Sequence, residues 1–398
     1  MAPPPRPPPY LMPELIGDIL VRFPPDDPAC LVRASLVCKP WRRLLCDPAF
    51  RRRYVAFHRA PPLLGFLHNC SINDHGKYYT APRFVCTTTP SPVLPLQPFD
   101  DCNYGWRVLD SRHGRVLFKA PNPNRRHGRG HVFFNAPGMN VSTNLAVWDR
   151  STGKHKQLPE PPSPRLNHYT AAVLCAVRGC DHLDCHGGPF LVVFVGCYPL
   201  ARVVQSHLYS SEASAWSSSS FQGSGFVTVR KPSVLIGDDI YFVLASRPVV
   251  TIVILNIDLG KNHLSIINAP EAQHFDGNAV LMSTEDGSLG FAAILGSKLR
   301  LWSRNVMNSE VPGGWGRCRV IELQTLIPFK HRLRVVGSAE GSGIIFVASD
   351  VGVFSLDLKS SRERKVDEPS EDITIFPFMS FYTPDGSSSK LRLPMGST

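Results

Sequence analysis

Five side chains of the types that bind zinc lie close together in the segment CAVRGCDHLDCHGG. They are Cys175, Cys180, His182, Cys185 and His186. Cysteine sulfur and histidine nitrogen are the usual ligands of tetrahedral Zn²⁺. The segment lacks a paired C-x2-C, however, and the chain has no second cluster of such ligands. The sequence therefore favours a long loop between two strands, and we expect no bound metal and no other cofactor.

No familiar catalytic motif accompanies this segment. The chain contains no G-x-S-x-G elbow, no H-E-x-x-H pair and no glycine-rich phosphate loop. Asp149, Asp258 and Asp357 recur at matching positions of a repeated unit, which favours turn capping over catalysis. We therefore expect no catalytic residues and a protein that is not an enzyme. The 11 cysteines are predicted to be reduced thiols, because the N-terminus has no apolar signal segment.

The Cys/His segment interrupts one copy of a repeated strand–turn–strand unit. Each copy has a β-rich run, a turn of Gly, Asp or Ser, and then a strongly apolar run. The copies span residues 106–118, 169–196, 233–245, 279–295 and 334–349. A second hairpin follows each of them, at residues 145–159, 208–220, 254–268, 299–323 and 353–366.

Each hairpin pair makes a four-stranded unit, and the unit recurs along the chain. This pattern predicts an all-β propeller of the kelch-like sort. Five units are clear, and residues 63–96 can supply a sixth. The apolar stretch Ile375–Tyr382 is expected to pair back onto that first unit and close the ring, which removes exposed strand edges. We expect six blades, with five or seven left open.

Residues 11–58 form a different, all-α unit of three short helices, the third of which is predicted to stop at Asp47-Pro48. A unit of this size cannot bury so much apolar surface by itself, and an uncovered apolar face usually contacts a partner. The first helix alone carries the apolar stripe Leu15, Ile16, Ile19, Leu20 and Phe23. A plain helical bundle without a partner is the alternative.

The same segment resembles the F-box, a helical module of cullin–RING ubiquitin ligases. The resemblance lies in LMPEL (11–15), LVRASLVCKPWRRLL (31–45) and DPAF (47–50). Two positions depart from the family pattern: Leu11-Met12 stands where Leu-Pro is usual, and Pro28 stands where many relatives have leucine. The resemblance implies binding to a Skp-type adaptor, and through it to a cullin. The eight apolar residues that it assigns to the adaptor contact are Leu15, Ile19, Leu20, Pro24, Leu31, Val37, Trp41 and Leu45.

The later part of the chain resembles the propeller of plant F-box proteins. The similarity lies in GWRVLDSRHGRVLF, VWDRSTGKHKQLPEPP and FPFMSFYTP. We therefore divide the chain into a proline-rich tail (1–10), an F-box (11–58), a β-propeller (59–383) and a C-terminal tail (384–398).

The charge pattern gives no indication of a nucleic-acid partner. The net charge is +11, but no concentrated basic patch of the kind that binds nucleic acid stands out. The strongest basic stretch contains Asn124, Arg125, Arg126 and Arg129, and we predict an exposed loop there. No apolar run reaches the ~18 residues of a membrane helix. We expect no nucleic-acid or membrane partner, and a cytoplasmic or nuclear location.

The resemblance implies a substrate-recognition subunit of an SCF-type ubiquitin ligase, with a protein substrate held on one face of the propeller. The basic loop and the Cys/His loop are the candidate recognition segments, because they are long and chemically distinctive. Two alternatives remain open. One is an F-box scaffold that acts outside a ligase, and the other is a propeller that binds a glycan or small molecule or is itself an enzyme.

Overall fold

The computed structural model describes most of the 398-residue chain. Within the described residues, short helices are followed by a β-propeller whose strands form six sheets. These residues are 12–74, 77–87, 105–121, 143–149, 153, 155–162, 168–183, 185, 187–198, 200–222, 225–246, 251–270, 278–304, 314–370 and 373–384.

The N-terminal unit contains α1 (Pro13–Leu20), α2 (Pro28–Val37), α3 (Lys39–Leu45) and α4 (Pro48–His58). Each helix has a proline in its first turn, where the missing N–H removes no helical hydrogen bond. Asp27 caps α2 by accepting from the N–H of Ala29 (3.1 Å), and Asp47 caps α4 by accepting from that of Ala49 (2.8 Å).

In the described part of the chain, no helix has the length and apolar content that crossing a bilayer requires.

The prediction of three helices that stop at Asp47-Pro48 is wrong by one helix. The same pair that ends α3 starts α4, because aspartate is a strong N-cap and proline fits the first helical position. Phe50, Tyr54 and Val55 of α4 are buried, and together with Leu20, Leu31 and Leu45 they form the core of the helical unit. The helices therefore have a core of their own.

The sheets follow the predicted hairpins closely. Blade 1 contains β1 (Leu63–Asp74) and β2 (Lys77–Cys86). Blade 2 contains β3 (Arg107–Arg112), β4 (Arg115–Lys119), β5 (Leu145–Asp149) and β6 (His155–Gln157). Blade 3 contains β7 (Tyr169–Cys175), β8 (Phe190–Tyr198), β9 (Val203–Ser210) and β10 (Ala215–Gln222).

The second half of the ring continues in the same order. Blade 4 contains β11 (Phe226–Thr228), β12 (Val234–Ile236), β13 (Asp239–Ser246), β14 (Thr251–Asp258) and β15 (His263–Asn268). Blade 5 contains β16 (Ala279–Ser283), β17 (Leu289–Leu295), β18 (Lys298–Ser303) and β19 (Gly316–Glu322). Blade 6 contains β20 (Arg334–Ala339), β21 (Ile344–Ser349), β22 (Gly352–Asp357) and β23 (Glu363–Asp367).

The last strand, β24 (Phe376–Met379), closes the ring by pairing antiparallel with β1. Phe376 lies opposite Leu67, and Phe378 lies opposite Gly65. Gly65 is required there, because a Cβ at this position would clash with the carbonyl oxygen of Val85. The predicted closure by residues 375–382 and the prediction of six blades are both confirmed.

The apolar core of the propeller lies between adjacent blades. A buried cluster fills each junction around the ring, from blades 1 and 2 to blades 6 and 1. Phe194, Phe242, Phe291 and Phe346 are fully buried in these clusters. The alternation of side chains along each strand places one apolar face against each neighbouring blade, so every blade depends on both neighbours.

The path of the chain gives the ring two different faces. Turns between the first and second strands of a blade, such as residues 113–114 and 340–343, lie on one side, which we call the turn face. The helices join the propeller at this face, since Leu63 pairs with Met379 and the Ser380 N–H donates to the Pro62 carbonyl (3.2 Å). The loops between the second and third strands, and those between blades, lie on the other side, which we call the loop face.

Candidate functional site

The helical unit presents an apolar surface beside its own core. Leu15, Ile19 and Val37, all assigned to the adaptor contact from the sequence, are 49%, 47% and 64% exposed. Pro24 is also exposed, and Trp41 is partly buried against the core. Apolar side chains of this size on the surface of a folded helical unit are typical of an interaction surface.

Three of the eight assigned residues lie elsewhere. Leu20, Leu31 and Leu45 are at most 1% exposed and pack inside the helical unit. In this structure they hold the helices together, and their assignment to the adaptor contact stays a prediction. Leu36, which the sequence reasoning missed, is 58% exposed and adjoins Val37. The sequence signal for an exposed Leu36 is that α2 is apolar on nearly every side. The small core of the helical unit does not require apolar residues on all sides of this helix.

The Cys/His segment forms the connection between β7 and β8 on the turn face. Its ends are held together because the N–H of Ala176 donates to the Pro189 carbonyl (3.1 Å). The structure brings Cys175, Cys180, His182 and Cys185 together, with their ligand atoms all within 4.8 Å of one another. His186, the fifth predicted member, lies outside the described residues.

Two thiols of this cluster, those of Cys180 and Cys185, have pKa values raised mainly by burial. Burial, followed by the neighbouring Cys175 and Cys180, raises the pKa of Cys185 to about 12. A coordinated cation reverses this effect, because a metal-bound thiol is deprotonated.

A buried arginine from blade 2 holds the same loop in place. Arg115 donates to the carbonyl oxygens of Cys185 (2.7 Å) and Gly188 (2.8 Å). Its Nε lies 3.3 Å from Oδ2 of Asp149, which also accepts from the N–H of Gly187 (3.0 Å). Asp149 therefore braces the neighbouring blade, and most of the turn that it is predicted to cap lies outside the described residues.

The Cys/His loop also contacts the helical unit. Leu183 packs against the helical core, and Phe381, which follows β24, is buried in the same cluster. The ring of Phe381 meets that of Tyr54 edge to face at 6.1 Å between centroids. The loop therefore has a structural role at the junction of helices and propeller. The substrate recognition predicted for it from the sequence stays a prediction.

A network of charged side chains crosses the centre of the ring. Arg112 of blade 2 lies 2.9 Å from Asp110 and 2.6 Å from Glu340 of blade 6, and it donates to the Ser233 carbonyl of blade 4 (2.9 Å). Blades 2, 4 and 6 are not neighbours, so groups from all three meet only near the ring axis. Burial raises the pKa of Asp110 to about 6, and the Asp110 and Glu340 carboxylates raise that of Arg112 despite its burial. Sequence reasoning found none of these residues.

Several cationic side chains lie toward the loop face, around the same ring axis. We call this central region of the ring the channel. Arg107 begins β3, while Arg230 and Lys231 lie on the bulge between β11 and β12. Burial, with Arg230 nearby, lowers the pKa of Arg107 to about 10, and burial, with Arg334 nearby, lowers that of Lys231 to about 8. The Lys231 ammonium donates to the Val335 carbonyl (2.8 Å), and Arg230 is exposed. This group, which we call the basic mouth, is suited to a negatively charged ligand.

The other predicted recognition segment is the basic loop with Asn124, Arg125, Arg126 and Arg129. These residues lie outside the described part of the chain. The loop joins β4 to β5, so its ends emerge on the loop face, the same face as the basic mouth.

Comparison with known proteins identifies the family. Residues 107–385 match the family described as F-box protein AT5G49610-like, beta-propeller, and residues 13–56 match the F-box-like family. The chain is an F-box protein and belongs to the family with an AT5G49610-like β-propeller. The kelch-like character predicted for the blades is not confirmed by these matches.

One relative is an F-box protein of Arabidopsis thaliana, At5g03970. It is 24% identical over 298 residues, and the match covers 72% of this chain and 63% of the relative. The chain thus spans less than two thirds of the length of that relative.

Two solved structures show a weak similarity to this chain. The GH93 alpha-L-arabinofuranosidase of Fusarium graminearum is 12% identical, with coverage of 69% of this chain and 82% of that one and a TM-score of 0.36. The oligogalacturonate lyase of Vibrio parahaemolyticus is 8% identical, with coverage of 78% and 81% and a TM-score of 0.35. Scores this low carry no inference about activity.

Proposed function

We propose that this protein is the substrate receptor of an SCF-type cullin–RING ubiquitin ligase. F-box domains generally bind Skp-type adaptors. The observation that carries the proposal is the exposure of four large apolar side chains, Leu15 and Ile19 on α1 and Leu36 and Val37 on α2. Because the helices already have a buried core, this second apolar surface needs a partner to cover it.

The receptor would promote ubiquitination by holding the substrate in place, and it would not itself form a covalent intermediate. Holding a substrate near a charged ubiquitin-conjugating enzyme raises the effective concentration of its lysines. The two carboxylates near the ring axis, Asp110 and Glu340, are both paired with Arg112, and we assign them a structural role. We place the protein in the cytoplasm, the nucleus or both, where such ligases assemble.

The test of the adaptor surface uses exposed residues only. The double variant Leu15→Ser, Ile19→Ser should weaken binding of a Skp-type adaptor at least tenfold, because interface anchors contribute about 1–2 kcal/mol or more each. Binding is measured by calorimetry with the full chain. The matched control is Val320→Ser, which changes a 45% exposed residue on the propeller and should bind normally. Equal affinity of the double variant and the control would contradict the proposed surface.

Assembly with a cullin separates the receptor from a scaffold that holds the adaptor alone. The full chain, mixed with adaptor, cullin and RING subunit, should elute as one complex. If the adaptor binds but the cullin does not join it, the scaffold alternative is correct.

We further propose that the basic mouth on the loop face binds an acidic segment of the substrate. The loop face is the side away from the helices. Besides burial, Arg230 lowers the pKa of Arg107 and Arg334 lowers that of Lys231, so these cations lie close together in pairs. A fluorescent oligo-glutamate peptide should bind the full chain with an affinity that falls with salt. Arg107→Gln with Arg230→Gln should abolish this binding, and Lys261→Gln, an exposed control, should not. Equal binding by both variants would contradict the assignment.

A further inference from the structure

We propose that Cys175, Cys180, His182 and Cys185 bind one structural Zn²⁺ ion on the turn face. Their ligand atoms lie within 4.8 Å of one another. Four ligands at tetrahedral zinc, with Zn–S of about 2.3 Å, are separated by roughly 3.8 Å. The cluster therefore needs to contract by about 1 Å or less to hold the ion, a shift that side-chain rotation in a loop can supply.

The set of ligands indicates the kind of site. Three thiolates and one imidazole are a known combination for structural zinc, and four protein ligands leave no open position for water or substrate. Cys175 ends β7 and the other three lie on the connection that follows, so one ligand is fixed by the sheet and three are carried by the loop. The fold thus brings together ligands whose spacing, C-x4-C-x-H-x2-C, does not resemble a paired-cysteine site.

Two local features independently fit a bound cation. The N–H of Val177 points at Sγ of Cys175 and the N–H of His182 at Sγ of Cys180, both at 3.4 Å; such contacts orient and stabilise metal-bound thiolates. In addition, Nδ1 of His182 is a buried atom with no hydrogen-bond partner among the described residues. A buried polar atom without a partner costs free energy, and coordination through Nδ1 would remove that cost.

The position of the cluster gives the ion a role. The loop carries Leu183 to the core of the helical unit, and the ring of His182 stacks on His113 of blade 2 at 4.1 Å. The loop contacts blade 2, blade 3 and the helices. Zinc bound at the cluster would hold this loop in one position. The ion would therefore set the orientation of the F-box on the propeller.

Metal analysis of the full chain, purified with its adaptor in a reducing buffer free of chelators, tests the site. We expect about one Zn²⁺ per chain. Cys180→Ser and His182→Ala should each lose most of the metal, whereas Cys318→Ser, which removes an exposed cysteine on blade 5, should retain it. A wild-type chain without zinc, or equal loss in the Cys318→Ser control, would overturn the proposal.

Cobalt substitution provides a measurement that does not depend on whether a variant folds. Wild-type protein produced in cells grown with Co²⁺ is measured by absorption spectroscopy. It should show the intense visible bands of tetrahedral Co²⁺ and a thiolate-to-metal charge-transfer band. The weak spectrum of octahedral Co²⁺ would contradict the site. A disulfide between two of the three cysteines, detected by thiol titration and peptide mapping of the same reduced sample, would also overturn it.

Discussion

At the level of single residues, Arg112 connects charged and polar groups of three blades near the ring axis. Its guanidinium meets Asp110, Glu340 and the Ser233 carbonyl in a buried setting. The planar group forms several hydrogen bonds in fixed directions, which a lysine cannot reproduce. Removing it would leave two carboxylates without their cation near the ring axis, and an uncompensated buried charge is costly.

Arg112→Ala should therefore lower the free energy of unfolding of the propeller by about 3–5 kcal/mol. The measurement is urea unfolding of the full chain, followed by tryptophan fluorescence. The matched control is Lys298→Ala, which breaks a half-exposed ion pair with Glu322 (2.7 Å) and should cost less than about 1 kcal/mol. Similar losses in the two variants would show that the channel network contributes no more than a surface pair.

At the level of helices and strands, local patterns predicted most of the structure. The hairpins follow from alternating apolar runs and glycine turns, and the closing strand follows from an apolar tail that needs a sheet edge. The identity of Arg112 as a channel residue could not be predicted in this way, because its partners are 121 and 228 residues away in sequence. An apolar helix pattern likewise does not reveal whether Leu20 faces inward or Leu15 outward, since both belong to one stripe.

The fourth helix shows how the same two residues can end one element and begin another. Asp47 accepts from the N–H of Ala49 at 2.8 Å and lies directly before Pro48. Asp47→Ala should destabilise α4 by about 1 kcal/mol, seen as faster amide hydrogen exchange in residues 48–58 of the full chain. Asp26→Ala, which removes an aspartate that caps no helix, is the control. Unchanged exchange in the Asp47 variant would mean that packing alone holds α4.

At the level of the whole molecule, the residues that follow blade 6 perform two tasks within a short distance. Phe378 of β24 is fully buried between blades 1 and 2 and meets Phe84 edge to face. Phe381, three positions later, is buried in the core of the helical unit. A hydrogen bond between Arg51 and Thr383 (3.4 Å) adds to the same junction. The chain thus closes the ring and then anchors the F-box to the turn face.

These two phenylalanines should have separable effects when each is replaced by alanine. Truncating a buried phenylalanine costs about 3–5 kcal/mol, so the element that loses stability identifies what each side chain supports. Phe378→Ala should raise hydrogen exchange throughout blades 1 and 2, because it weakens the closing strand. Phe381→Ala should instead raise exchange in α1 to α4 and leave the blades protected, while the exposed surface of Leu15 and Ile19 still binds the adaptor. If Phe381→Ala loosened the ring as much as Phe378→Ala does, the helices and propeller would form one cooperative unit, and the orientation of the F-box would depend on the whole propeller.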